Sequence, residues 1–336
     1  MDGTRGRALG NAWLDWLRLR DEGMLKTVQC DLCAADDTEL VYEEKDYLHH
    51  TDGTFSLVRC RRCGLMYLNP RPSVEEMPRY YPESYEPHRP IDSQSPLLVR
   101  LEHRYAMHKH CRAIIAHTSV GSGRILEIGC STGSFLAAMR ARGWLAHGIE
   151  ISSNAARYAQ RERGLDVFVG TLDKAHYPRS HFDVVALWNV FEHLHRPKAT
   201  LTEIARILKP TGLLAMSIPN PDSIEAKVFG QYWAGLDAPR HLYIYTQRTI
   251  RKALAETGFD MERVISFSGR HHVLALSTNH WLDQTAIGPE RLRHLLKQAI
   301  SSFPARLLTL PYYILASKLN QNSVMTVLAR RRKEII

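Results

Sequence analysis

Four cysteines form two matched pairs, Cys30-Asp-Leu-Cys33 and Cys60-Arg-Arg-Cys63, with 26 residues between them. Each pair suits a tight turn whose backbone amides face the sulfurs. Two such turns present four thiolates as a tetrahedron, the coordination that zinc takes in closed structural sites. His49 and His50 are alternative ligands, but four cysteines already complete a shell. Both pairs lie beside expected strands and turns rather than opening a helix, which argues against redox chemistry. A second chemical unit is Arg124-Ile-Leu-Glu127-Ile-Gly129-Cys130-Ser-Thr-Gly133. It reads as a buried strand, a glycine turn and the start of a helix. Glycines there let the backbone bend sharply or come close to a ligand. Glu150 ends the next apolar run, about 20 residues after the turn, where a carboxylate can accept paired hydrogen bonds from a ribose diol. This unit suits an adenosine-containing cofactor.

The elements that must position these residues alternate regularly from Gly121. Helices are expected from Gly133 to Gly143, over 154–163, over 198–208 and over 247–256, the last with Thr246 as N-cap. Strands are expected at 165–169, 182–188, 213–218 and within 259–267. Alternating strands and helices imply an α/β fold with a doubly wound, mostly parallel sheet that binds ligands at the carboxyl ends of its strands. Before it come short ribbon strands, a proline- and tyrosine-rich connector, and a helix over 96–117 that carries His103, His108, His110 and His117. Those histidines are not confined to one helical face, so a solvated helix is expected rather than a second metal site. At 336 residues, 44% hydrophobic and 24% charged, the chain has ample core for a large domain and a small one. Its net charge of +9 suits an anionic partner: nucleic acid, a membrane surface or a phosphorylated substrate. No secretory signal and no apolar run of about 18 residues is visible. A cytoplasmic protein is expected.

The motifs in this order resemble the class I S-adenosylmethionine-dependent methyltransferases. The resemblance rests on Glu127-Ile-Gly-Cys-Ser-Thr-Gly133, Glu150, Phe182-Asp183, Glu192-His193-Leu194, Leu208-Lys-Pro-Thr-Gly212 and Gly258-Phe259. The segments at 59–72 and 233–242 are similar to a bacterial subgroup with an N-terminal four-cysteine zinc ribbon. The resemblance implies a Rossmann-like seven-stranded sheet whose last strand, 323–329, is antiparallel and inserted beside the sixth. It divides the chain into an amphipathic segment (1–23), the zinc ribbon (24–70), the connector and helix (71–120) and the methyltransferase domain (121–336), with an apolar helical insert at about 270–322. A dinucleotide site is disfavoured, because Ser131 and Ser134 stand where a pyrophosphate needs glycines. Ser131 also departs from the glycine commoner in the methyltransferase motif.

The implied cofactors are S-adenosylmethionine and a structural zinc ion. Carried over by position, Glu127, Gly129, Cys130 and Gly133 hold the methionine end, and Glu150 takes the ribose. Ile151, Thr171, Leu172 and Asp173 border the adenine, and Asn189 lies near the methionine end. His241 and His193 are the leading general bases, with His195 a third candidate, since histidine titrates near neutrality. Tyr232, Trp233, Arg240 and Tyr243 are expected to line the acceptor mouth; for Arg240 the alternative is a salt bridge to Asp237. The expected acceptor is a small molecule: a sugar, quinone, lipid-linked or secondary-metabolite intermediate. The alternatives are an RNA methyltransferase that uses the ribbon, against which the scattered charge argues, and a cofactor-binding scaffold without transfer. The insert has three open readings: a lid, a dimer surface, or a peripheral contact through 305–317 with the inner face of a membrane.

Overall fold

The computed structural model describes residues 25–82, 90–92, 94–266, 271–285 and 287–332. The amphipathic segment expected at 1–23 lies outside them. The N-terminal part contributes β1 (Leu25–Lys26), β2 (Thr38–Glu44), β3 (Phe55–Cys60), β4 (Met66–Leu68) and β5 (Arg71–Pro72), followed by α1 (Leu97–His117). Next come β6 (Arg124–Ile128), α2 (Ser134–Arg140), β7 (Leu145–Glu150), α3 (Ser153–Arg163), β8 (Asp166–Val169), β9 (Phe182–Trp188), α4 (Pro197–Ile207) and β10 (Leu208–Pro219). The chain continues through α5 (Ile224–Phe229), β11 (Tyr243–Ile244), α6 (Gln247–Glu256) and β12 (Phe259–Ile265). It then runs through α7 (His271–Thr285), α8 (Glu290–Ser301), α9 (Phe303–Lys318) and β13 (Val324–Arg331).

Seven strands form one sheet in the order β12-β13-β10-β9-β6-β7-β8. β13 runs antiparallel to both neighbours, between the sixth strand of this sheet and β10. This is the Rossmann-like arrangement that the resemblance implies. Side chains alternate across the sheet, and both faces are buried, as helices covering a parallel sheet require. Leu126, Val185, Leu187, Leu214 and Met216 enter one core. Ile125, Val184, Ala186, Leu213 and Ala215 enter the other. Strand β10 starts earlier than the expected Leu213: Leu208 already pairs with Phe182, and the chain bulges before pairing resumes. Thr211 takes a left-handed φ of 65° inside that bulge. Asp183 stabilises this end of the sheet, accepting from the Lys209 ammonium at 2.7 Å and the Arg124 amide at 2.8 Å.

The ribbon is built into the main body. Its sheet has the order β11-β4-β3-β2, so its outer strand is Tyr243–Ile244 from far along the chain. Leu57, Leu65, Tyr67 and Leu68 join the same core as the β9 and β10 side chains. Asp31, on the first cysteine turn, accepts from the Lys198 amide at 3.0 Å. It thereby serves one of the unpaired first-turn amides of α4, whose own N-cap residue Arg196 makes no side-chain cap.

Arg240 closes the joint. Its side chain is fully buried. It donates to Asp46 of the ribbon at 2.7 and 3.0 Å, to Asp237 at 2.6 Å and through Nε, and to the Tyr80 carbonyl at 3.3 Å. All the nitrogens of its guanidinium fork are thus occupied. Burial alone would raise both carboxyls, but the hydrogen bonds and charge of Arg240 outweigh it at Asp46, and the neighbouring His241 together with Arg240 outweighs it at Asp237, so both lie below the usual range. Removing one partner of such a pair leaves buried charge uncompensated, at a cost of about 3–5 kcal/mol. Arg240→Met is expected to lose roughly that much in urea unfolding, against about 1 kcal/mol for Asp31→Ala, which removes only a cap.

Candidate active site

Strand β6 delivers Glu127 and then turns through Gly129 (φ 71°), Ser131 (φ 47°) and Gly133 (φ 76°). The turn is pinned by the Gly129 and Cys130 amides, which donate to the Ile149 carbonyl at 2.8 and 3.0 Å. Both glycines are sterically required. A Cβ on Gly129 would lie 2.6 Å from Val190, and one on Gly133 would lie 2.4 Å from Leu165. Glu150 is buried, and each carboxylate oxygen accepts one amide at 2.8 Å, from Ser131 and from Ser152. Ser131 thus orients the acid expected to meet a ribose, and it uses its backbone to do so. Carboxylate oxygens carry further lone pairs, so this pinning leaves capacity for a diol.

Glu127 differs. It is 5% exposed, and its Oε2 has no hydrogen-bond partner among the described residues. Burial, reinforced by the neighbouring Glu150 charge, pushes its carboxyl well above the ordinary range. An orphaned buried carboxyl beside a glycine turn is a group awaiting a donor. Around it, Ile151 is 72% exposed beyond Glu150. Leu172 is buried, while Asp173 is exposed and held low chiefly by the Thr171 hydroxyl. Asn189 follows β9 at a left-handed φ of 55°, its amide bonded to the Ser217 carbonyl. The structure therefore gathers Glu127, the turn, Glu150 and Asn189 at the carboxyl edge of β6, β7 and β9. Beside them Trp188 stacks on His110 of α1 at 4.1 Å. Nothing in the sequence signals this pairing, because the partners lie far apart in the chain.

His193 and His241 meet edge to face, ring centroids 4.7 Å apart. The Arg240 carbonyl lies 2.9 Å from His193 Nδ1, and the Gly235 carbonyl lies 2.8 Å from His241 Nδ1. A carbonyl can only accept, so each Nδ1 carries its proton and each Nε2 is the basic nitrogen. His241 Nε2 is 3.9 Å from both Glu192 Oε1 and Asp237 Oδ2. Burial pushes His193 down to about 3. It also lowers His241, with the Asp237 carboxylate opposing it. His195 bonds the Pro72 carbonyl from Nε2 at 3.1 Å, away from this pair.

Three residues expected at the acceptor mouth turn inward instead. Arg240 is fully committed to Asp46, Asp237 and the Tyr80 carbonyl. Trp233 is 2% exposed and donates from Nε1 to Ser323, and the Tyr243 hydroxyl receives Arg71 at 2.6 Å. Each carries a polar group that the core satisfies internally. Tyr232 alone remains partly exposed, near Tyr47 of the ribbon.

In the ribbon, the Sγ atoms of Cys30, Cys33, Cys60 and Cys63 all lie within 4.8 Å of one another. The Cys30–Cys63 and Cys33–Cys60 separations are 3.5 Å. Tetrahedral thiolates at about 2.3 Å from zinc stand about 3.8 Å apart, so the four sulfurs fit that ion.

Residues 101–264 match the methyltransferase domain family. Among curated proteins, a ubiquinone biosynthesis O-methyltransferase from Azoarcus sp. strain BH72 is 30% identical over 113 residues, 32% of this chain and 48% of that one. Another of that name, from Psychrobacter arcticus, is 25% identical over 183 residues, 50% of this chain and 70% of that one. The chain spans about half the length of the first of these relatives. A solved SAM-dependent methyltransferase from Archaeoglobus fulgidus is similar at 16% identity and a TM-score of 0.45, covering 70% of this chain and 100% of that one.

Imidazole NMR titration checks the histidine assignment. His193 is expected to stay neutral until about pH 3, and His241 to protonate below the ordinary value of about 6.5. Either ring protonating above 6.5 contradicts the geometry.

Proposed function

We propose that this chain is an S-adenosylmethionine-dependent methyltransferase acting on a small-molecule acceptor. The observation that carries the reading is the orphaned Glu127 Oε2 at the glycine turn, with the pinned Glu150 carboxylate beside it. A cofactor with an ammonium at one end and a ribose diol further along fits that pair of acids. Glu127 takes the ammonium, Glu150 the diol, and the exposed Ile151 packs on the adenine. When bound, the cofactor supplies an electrophilic methyl group on a sulfonium.

The remaining work is positioning and proton removal. His241 is the preferred base, since its Nδ1 is locked to the Gly235 carbonyl and its Nε2 faces Glu192 and Asp237. His193, lowered to about 3, is a far weaker base and serves to orient its neighbour. The small-molecule reading draws support from the relatives' name, ubiquinone biosynthesis O-methyltransferase, which makes a hydroxyl on a ring a first acceptor class to try. The four ribbon cysteines hold a structural zinc, a closed shell with no place for substrate.

Radiolabelled cofactor with fractionated host extract tests the proposal. Label should enter the low-molecular-weight fraction; label confined to RNA contradicts it. Calorimetry should show Glu127→Gln weakening cofactor binding at least about tenfold, the loss of one charge-assisted contact. His241→Ala should lower kcat by about 10²–10⁴ with cofactor affinity kept. Because the base must be neutral, the wild-type rate should fall on the acid side, below about pH 6.5, and be flat above it. Purified protein should carry zinc in a one-to-one ratio; metal-free protein with an intact fold would remove the zinc assignment.

A further inference from the structure

Helix α9 exposes an apolar face that the body does not cover. Among its side chains only Tyr313 and Ala316 are buried. Phe303, Leu307, Leu310 and Ile314 repeat at helical spacing and are about half exposed, and Leu308 beside them is 82% exposed. From Leu307 to Ser317 the helix carries no charge. Helix α8 repeats the feature in amphipathic form. It buries no side chain, yet Leu292, Leu295 and Leu296 form one stripe, and Arg291, Arg293 and Lys297 stand among the polar residues Glu290, His294 and Gln298 on the rest of the surface. The two helices follow each other across Ser302, whose hydroxyl caps α9. Arg306 ties α9 to Glu102 of α1 at 2.7 Å, where Leu97, Leu98 and Leu101 are also exposed.

We propose that this face docks on an anionic lipid bilayer. An amphipathic helix with basic residues on its polar side and an uncovered apolar stripe has the composition of an interfacial helix. The charges select the occupant. Glu290 and Glu102 are the only acids on α8, α9 and the first two turns of α1, and Glu102 is already paired with Arg306. Against them stand Arg291, Lys318, Arg100 and Arg104, while Lys297 is paired with Asp283 of α7. Two copies meeting through this face would bring like charges together, whereas anionic headgroups complement them. The helices lie on the surface rather than span it: among the described residues no helix is long and apolar enough to cross a membrane. The inference is independent of the acceptor and of the cofactor reading.

Flotation of the full chain with vesicles tests it. With phosphatidylcholine containing phosphatidylglycerol, most of the protein should float at low salt, and at least about tenfold less with phosphatidylcholine alone. Added salt should weaken binding. Leu308→Asp combined with Leu315→Asp, both at exposed positions, should abolish flotation with the circular-dichroism melting curve unchanged. Arg291→Glu with Lys318→Glu should weaken it several-fold while keeping the apolar face. Failure to float with anionic vesicles, or equal flotation with neutral ones, overturns the proposal. So does a dimer in light scattering that the Leu308 and Leu315 substitutions convert to monomer, which would assign the face to a second copy.

Discussion

The buried Arg240 guanidinium is the interaction on which the rest depends. It holds Asp46 from the ribbon and Asp237 from the loop before β11, with every side of the group desolvated. Such a cluster gains little over a well-packed apolar one, but it tolerates no missing partner. Its value is in register. Asp46 also gathers the His49 amide and the Thr51 hydroxyl, so one carboxylate organises the ribbon loop and fixes its distance from the main body. The adjacent residue in the chain is His241, and the Arg240 carbonyl is what orients His193. Both candidate bases therefore inherit their positions from this ion cluster, whose Asp237 carboxylate also stands 3.9 Å from His241 Nε2.

This changes the meaning of the ribbon. A zinc knuckle ending in its own sheet would be a separate module. Here β11 completes that sheet, Asp31 caps α4, and Tyr81 of the connector lies 3.1 Å from His193 Nδ1. Four thiolates on one ion would brace the far end of the same unit. The proposed role of the metal is thus to keep one wall of the site in place, at a distance from any chemistry.

Much of the scaffold was legible in the sequence, for identifiable reasons. Parallel strands buried on both faces leave continuous apolar runs, and the glycine turn leaves a spacing that only backbone geometry explains, as the clashes at Gly129 and Gly133 show. The cysteine pairs were legible because ligand spacing is local. The acceptor side was less so. Arg240, Trp233 and Tyr243 have the residue types of a binding mouth, yet they are buried; the Arg240–Asp237 salt bridge, three residues apart, was readable, but the partners Asp46, Ser323 and Arg71 lie too far away in the chain for spacing to reveal. The pairing of β11 with the ribbon, the stack of His110 on Trp188 and the lone Glu127 oxygen were hidden for the same reason.

The central claim is that ribbon and seven-stranded sheet form one cooperative body locked through Arg240. Native-state hydrogen exchange tests it most directly, because opening free energies report which segments unfold together. Amides of β3 and β4 should open at the same free energy as those of β9 and β10. If the ribbon amides exchange through a much cheaper opening while β9 and β10 stay protected, the ribbon is a separate unit and the claim of one body fails.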